Sequence, residues 1–445
     1  MSDGLAPTGL PAAEIESSAY PGKRARPTRA RHVVLCLTVL AYLITYMDRV
    51  VIATAAPMIE EEFGFTPVTM GWIFASFSIA YALFQIPGGW LGDRFGARRA
   101  LTGVVLWWST FTAATALTWS ASSMIVCRFL FGAGEAGAFP IATRSLSRWM
   151  LPSERGWAQG LTHAGARLGG ALTPVFVALL IVYYGWRTPF FLFALLGLAW
   201  AALWFGYYRD TPREHRSVND AELAMIEGAL GTGRARVSVP WRHLLANPRL
   251  WVLSAMYFCY AYCINIFLTW FPKYLHDARG FDIAMMGLFA SMPLLAGVVG
   301  DLAGGWASDR LVKRGAGLKI GRRAVAVVGF LIAAVMIPLA AATADPFASI
   351  ICFCVALFGL ELTVGVSWAV TLDIGGAYAG SVSAVMNTFG NIGAAIAAVV
   401  TGYIVSMSGW FPAFAVLAVL CLVAALLFLR IDASYQLYDD DKEPA

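Results

Sequence analysis

Apolar runs of about twenty residues, separated by short polar stretches, follow one another along nearly the whole chain. Roughly 20 helical residues cross the hydrocarbon core of a bilayer, so each run predicts one transmembrane helix. Six runs lie at 33–58, 69–92, 99–119, 121–147, 156–184 and 188–207, and six more at 247–275, 283–308, 324–343, 346–372, 377–405 and 410–430. The one long polar segment, 208–246, divides them. The pattern predicts an all-α membrane protein of twelve spans in two pseudo-symmetric six-helix halves. These are an N-terminal bundle at 33–207 and a C-terminal bundle at 247–430, with tails at 1–32 and 431–445. Within the linker, the stretch from Asp220 to Glu227 reads as a short surface helix serving as a solvated connector.

Composition agrees with a chain that lives in lipid. Hydrophobic residues make up 59% and charged ones only 13%, against about 25% charged in a soluble domain. The polar start, with Lys23, Arg24, Arg26, Arg29 and Arg31, has no short apolar core ahead of a cleavage site, so no removable leader is expected. With the N-terminus placed in the cytoplasm, 26 of the 32 Lys and Arg fall in cytoplasmic tails and loops. Outer loops keep only Arg187, Lys273 and Arg279, and the first outer loop carries Glu60, Glu61 and Glu62. Basic loops stay inside, so both termini are expected in the cytoplasm. The net charge of +5 expresses that asymmetry and gives no reason to expect nucleic acid as a partner. The seven cysteines show neither metal-ligand spacing nor a disulfide framework. No nucleotide loop, metal cluster or nucleophile constellation is visible, so neither an enzyme nor a bound cofactor is expected.

The halves repeat each other. Gly88-Gly89-Trp90-Leu91-Gly92-Asp93-Arg94 after span 2 returns as Gly304-Gly305-Trp306-Ala307-Ser308-Asp309-Arg310 after span 8, and Gly185-Trp186 before span 6 returns as Gly409-Trp410 before span 12. Repeats of this kind mark transporters that bind substrate between two halves. Against that background, five ionisable residues inside the apolar runs stand out: Asp48 and Arg49 in span 1, Arg128 and Glu135 in span 4, and Arg167 in span 5. A charge at mid-bilayer costs a few kcal/mol, so such residues face partners or a watery cavity. Arg128 and Glu135 are two turns apart on one helix face, about 10 Å along the axis, while the adjacent Asp48 and Arg49 point about 100° apart. Arg49 is expected to face the cavity and Asp48 the interior of the N-terminal half.

A guanidinium in such a place suits a carboxylate, being planar, permanently charged and able to bind both oxygens. An anion that takes the arginine leaves the neighbouring carboxylate without its countercharge, and burial then favours proton uptake. Linkage is reciprocal, so protonation favours anion binding by the same factor. The competing reading is a permanent salt bridge bracing spans 1 and 4. In span 5, His163 and Arg167 share a face, and alignment of the repeat sets them opposite Asn387 and Asn391 of span 11. This contrasts a cationic wall with an amide wall. Arg167 hints at a second negative group on the substrate, or pairs with Glu361 or Asp301. His163 reads equally as a satisfied interior histidine or as a proton relay. Tyr46, Tyr81, Gln85, Asn265, Trp270, Ser367 and Trp368 complete the candidate pocket; an amide in hydrocarbon needs partners, which strengthens Gln85 and Asn265. Glu361 is left as a further proton site or as a packing partner near the membrane edge.

The loop 89–99 resembles the loop 2–3 signature of the major facilitator superfamily, with its degenerate copy in loop 8–9, and the resemblance extends from span 1 to span 12. It implies that Asp93, Arg94, Asp309 and Arg310 form a conformational lock, with Arg144, Glu154 and Arg155 as partners. Tyr46-Met-Asp48-Arg49, Arg128 through Gly137, and Asn387-Thr-Phe-Gly-Asn391 together resemble the anion:cation symporter branch of galactonate, glucarate, hexuronate, sialin and vesicular glutamate carriers. That resemblance implies substrate contacts at Tyr46, Tyr81, Trp368 and Asn387, proton coupling at Asp48 and Glu135, and function as a monomer. Its expected partners are a small organic anion, a proton (the coupling ion) and the lipid bilayer. A proton-coupled importer of a sugar acid by alternating access is the leading expectation, ahead of dicarboxylates or aromatic acids. An organophosphate-type exchanger would need no titrating carboxylate. A drug exporter would show a Gly-Pro pair where this chain has Gly169-Gly170-Ala171-Leu172-Thr173-Pro174. A transporter-like sensor would carry a signalling domain. Abundant arginine over lysine points to a bacterial inner membrane.

Overall fold

A computed structural model describes residues 26–151, 154–230 and 241–437. The expectations for the tail segments 1–25 and 438–445 lie outside the described residues, as does linker stretch 231–240. Every described element is helical. Span 1 is α1 (Ala30–Phe63). Spans 2 and 3 lie together in α2 (Pro67–Ala116), two helices joined by a turn at Gly96, where φ is 76°. Span 4 is divided into α3 (Ala121–Glu135) and α4 (Ala138–Trp149). Span 5 is α5 (Arg155–Tyr184) and span 6 is α6 (Thr188–Tyr207). The linker holds α7 (Asp220–Leu230) and α8 (Trp241–Ala246). Span 7 comprises α9 (Pro248–Thr269) and the short α10 (Phe271–Asp277), followed by α11 (Ile283–Leu311), α12 (Gly317–Ala342), α13 (Pro346–Gly375), α14 (Ala379–Ser408) and α15 (Trp410–Phe428). Ten described stretches are long and apolar enough to cross a membrane. Two of them, Pro67–Ala116 and Ile283–Ala342, are 50 and 60 residues long and each holds two spans, so twelve crossings result. The second of these turns at Gly315 and Gly317, with φ 93° and 73°.

Helix starts follow local chemistry. Thr66 accepts from the Thr69 amide ahead of Pro67, Ser120 and Ser123 form a reciprocal capping box, and Asp282 accepts from the Met285 amide at 2.8 Å. Each supplies an acceptor to amides that no helical carbonyl can reach. Glycines let helices cross closely. A Cβ on Gly88 would stand 2.5 Å from the Cα of Gly137, at the break between α3 and α4.

The linker helix is more than a solvated connector. Glu222 of α7 is fully buried and accepts from the Thr28 hydroxyl at 2.5 Å, from the Ala30 and Arg31 amides at 3.2 Å, and from the Arg31 guanidinium at 3.4 Å. It thereby caps the start of span 1.

The two halves meet along α2 against α14 and α5 against α11. At the end away from the termini these contacts are backbone-close. A Cβ on Gly71 would lie 2.7 Å from the Ala398 carbonyl oxygen, on Gly402 2.5 Å from that of Pro67, and on Gly287 2.5 Å from that of Pro174. Lys273 on α10 adds an ion pair with Glu60 of α1 across the same seam. Toward the termini the seam opens. Along the interior face of α5, Gly156, Gly160 and His163 are exposed, Arg167 is partly so, and Gly170, Pro174 and Ala178 are buried. The chamber is therefore reached from the side that carries the termini and the linker.

Candidate functional site

The break between α3 and α4 brings Glu135 to the inner wall of the N-terminal half, where it accepts from the Nε of Arg49 on α1. Four rings surround the Arg49 guanidinium: Tyr46, Phe77, Tyr81 and Phe139, with centroids 5.0, 5.2, 4.6 and 5.8 Å away. Ring faces attract a cation while keeping water off it. Arg128, only 2% exposed, lies over Phe131 at 4.3 Å and Phe77 at 5.4 Å, and its Nε and Nη1 make no hydrogen bond within the chain. Asp48 is fully buried beside Glu135 and Arg128, with the Thr112 hydroxyl and the Trp108 indole as its hydrogen-bonding neighbours. The second oxygen of Glu135 is unpartnered. Buried polar atoms are nearly always satisfied. Unpartnered atoms gathered in one place suit a site that receives water or a ligand.

The C-terminal half supplies the facing wall. Asn387 donates to the Gln85 side-chain oxygen across the halves at 3.3 Å, and Asn391 donates to the Asn387 carbonyl at 2.9 Å. The Trp368 indole donates to the Tyr257 hydroxyl at 3.1 Å. His163 stands between the halves, its ring 6.1 Å from Tyr42 and from Phe139 and 6.2 Å from Trp368, and it is exposed although it sits at mid-span. A chamber open between the halves accounts for those facts. Arg167 pairs with Glu361 of α13 at 3.0 Å. Glu361, for which a proton site and a packing place near the membrane edge were the two alternatives, is thus buried against mid-span Arg167 and away from that edge. Tyr46 borders both clusters, lining with Arg167 and Glu361 a small cavity whose free space of about 20 Å³ is room for one water.

Three expected pocket residues are placed elsewhere. Trp270 is wholly buried in the far seam, its indole donating to the Ala398 carbonyl at 3.2 Å. Asn265 ties span 7 to span 11 through the Ala394 carbonyl at 3.0 Å, and buried Ser367 bonds back to the Thr363 carbonyl at 2.7 Å within its own helix. All three are satisfied by backbone. Tyr257, Tyr260, Phe77 and Phe139, which the sequence reading passed over, take their place; Tyr257 and Tyr260 are one turn apart, the only signal they gave.

Of the expected lock, Asp93 pairs with Arg144 inside the N-terminal half. In the C-terminal half Arg322 of α12 bridges Asp309 at 2.7 Å and Asp373 at the end of α13 at 2.9 Å. Span 4 ends in a cation and span 10 in an anion, so the second half recruits an arginine from span 9 to join two acids. Glu154 binds Arg31 at 3.2 Å, Arg155 donates to the Ser147 carbonyl at 2.6 Å, and Arg94 and Arg310 lie over Trp90 and Trp306. Among the described residues no ion pair joins these four to Asp93 or Asp309.

The sequence profile of the Major Facilitator Superfamily matches residues 38–398 and 316–444. The chain belongs to that superfamily. Within it, the chain is 41% identical over 383 residues to a probable sulfoacetate transporter of Cupriavidus necator, with 86% of this chain and 89% of the relative covered. It is 33% identical to the hexuronate transporter of Bacillus subtilis (89% and 93% covered) and 31% identical to the D-galactonate transporter of Escherichia coli (92% and 97% covered). The fold is also that of a bacterial homolog of the human lysosomal transporter Spinster, with a TM-score of 0.76 at 19% identity, covering 91% of this chain and 97% of that one. The major facilitator fold and the anion-carrier relatives agree with the arginine-lined chamber. The protein is a multi-pass membrane transporter of anions.

Proposed function

We propose that this protein is a proton-coupled symporter that imports a small organic anion, foremost a sugar acid such as an aldonate, aldarate or uronate, by alternating access. It works in a bacterial inner membrane with both termini in the cytoplasm. The observation that carries the reading is the Arg49–Glu135 pair, whose second carboxylate oxygen is unpartnered, set beside Arg128 with its Nε and Nη1 unbonded. An incoming carboxylate displaces Glu135 from Arg49 and takes the guanidinium with both oxygens. Glu135, left buried without a countercharge, takes a proton from chamber water, and Asp48 beside it shares the same field. Anion and proton then cross together as a neutral set, which spares the cost of moving a naked charge through lipid. On the cytoplasmic side the proton leaves, Glu135 returns to Arg49, and the anion is expelled. Ring faces and amides (Tyr46, Tyr81, Trp368, Asn387) suit a polyhydroxylated carbon chain.

A second reading, a short dianion, is favoured by one finding: the 41% identical relative is named for sulfoacetate, a two-carbon carboxylate–sulfonate. Proteoliposomes decide the main reading. Uptake of galactonate, glucuronate or galactarate should rise with an inward proton gradient and collapse with a protonophore. Glu135→Gln should retain substrate counterflow yet lose gradient-driven accumulation. Gradient-independent uptake, or equal loss of both activities in the variant, refutes proton symport through Glu135.

A further inference from the structure

Arg167 and Glu361 stand apart from the Arg49–Glu135 cluster, and the mechanism above gives them no task. They come from opposite halves. Arg167 Nη1 donates to Glu361 Oε1 at 3.0 Å, the Tyr260 hydroxyl donates to the same oxygen at 2.8 Å, and Arg167 Nη2 donates to the Tyr260 oxygen at 3.3 Å. Glu361 is 2% exposed, and its other oxygen, Oε2, makes no hydrogen bond. Two donors thus converge on one oxygen of a buried acid whose second oxygen is idle. The surrounding titratable and charged groups are Asp301 of α11, which acts on both residues, together with Tyr46, Tyr257 and His163 around Arg167. A buried carboxylate that only braces two helices usually has both oxygens bonded. This one instead borders the small cavity shared with Tyr46, the residue whose ring also flanks Arg49 at 5.0 Å.

We propose that Arg167 and Tyr260 form a second acid-group seat, occupied at rest by Glu361, so that the substrate is a dianion and Glu361 carries an additional proton. One side chain, Tyr46, separates the two seats, which fits a short diacid or a carboxylate–sulfonate. The step balances. The second acid group accepts hydrogen bonds from Arg167 Nη1 and the Tyr260 hydroxyl, Glu361 withdraws and takes one proton from chamber water, and no bond to carbon changes. Release of that proton toward the cytoplasm restores the Glu361–Arg167 pair and ejects the acid group. This inference rests on the symporter reading of the Arg49 seat.

The test compares galactonate, galactarate and sulfoacetate by measuring Kd against pH on the purified full-length carrier. Each proton taken up with the ligand makes Kd change about tenfold per pH unit. Wild type should show about tenfold per unit for galactonate and about a hundredfold for whichever diacid binds. In Glu361→Gln the diacid's dependence should fall to that of the monoacid, whereas a purely structural residue would weaken both ligands without changing either slope. Should that variant fail to fold, Arg167→Met with Glu361→Leu removes both charges together, and it should abolish the preference for diacid over monoacid. Equal slopes for monoacid and diacid in wild type, or a hundredfold slope surviving in Glu361→Gln, overturns the second seat and leaves the first intact. A flat pH dependence for every acid refutes the symporter reading itself.

Discussion

Replacing Glu60 with Gln removes the charge from the ion pair that seals the chamber's far side. Glu60 and Lys273 keep only 11% and 6% of their side-chain surface exposed, and the pair joins α1 to α10 across the two halves. Lys273 also holds Asp277 at 2.5 Å within its own half, so the variant does not strand a buried ammonium. What is lost is one sheltered, charge-assisted bond, about 1.5–3 kcal/mol. In the outward-open state a freed Glu60 regains water, and the glutamine retains part of the contact when the seam is closed. The net shift is about 1–2 kcal/mol, or roughly 5- to 30-fold in the ratio of outward-open to inward-open carriers. Spin labels at Glu61→Cys and Ala284→Cys, both exposed and on opposite halves, report that ratio as a distance distribution in a cysteine-free background. Glu60→Gln should enlarge the long-distance population by that factor. A distribution identical to wild type would show that the glycine contacts alone hold the seam and that the ion pair contributes nothing.

Three further outcomes are expected. Gly132→Val should lower thermal stability in detergent by about 1–3 kcal/mol, because a Cβ there stands 2.5 Å from the Phe77 carbonyl oxygen and would drive spans 2 and 4 apart; an unchanged melting temperature refutes that packing. Glu222→Ala removes four accepted hydrogen bonds at the start of span 1, so protease cleavage within the linker should accelerate several-fold, and an unaltered rate would mean α7 docks by other contacts. Outside the membrane, the Asp432 carboxyl is lowered to about 2 by the Ser434 hydroxyl and by Lys319 at 3.0 Å. A lowered value stabilises the docked segment fully above the ordinary carboxylate range and loses that effect as pH falls from about 4 toward 2. Protease protection of residues 431–437 should hold from pH 7 to 4.5 and fail only below, whereas Asp432→Asn should lack the acid transition.

The twelve spans and their division into two halves were legible because lipid demands an unbroken apolar helix, and run length then counts the crossings. The cluster around Arg49, Arg128, Asp48 and Glu135 was legible for the complementary reason: charges in hydrocarbon have few places to go. Partner choice between halves was not. Glu361 was noticed, and its pairing with Arg167 was one of two options, but no spacing in the chain selects it over Asp301. Lys273 was counted as an outer-loop basic residue, and its burial against Glu60 depends on how α10 breaks from α9 at Trp270. Trp270, Asn265 and Ser367 misled because a polar atom inside a span looks the same whether a backbone carbonyl or a ligand satisfies it. Among the lock residues Asp93 has the expected partner in Arg144, while Glu154 and Arg155 bond elsewhere. Glu154 turned to Arg31, a pairing that runs from the tail to span 5 and leaves no periodic trace.

Each of the arginines 49 and 167 keeps a glutamate of its own while the chamber stands open. Chloride, abundant and spherical, offers a guanidinium one point of charge where a carboxylate offers two oxygens held in a plane. On the proposed coupling, an empty carrier keeps both acids paired and so leaves the proton gradient of its membrane undrained.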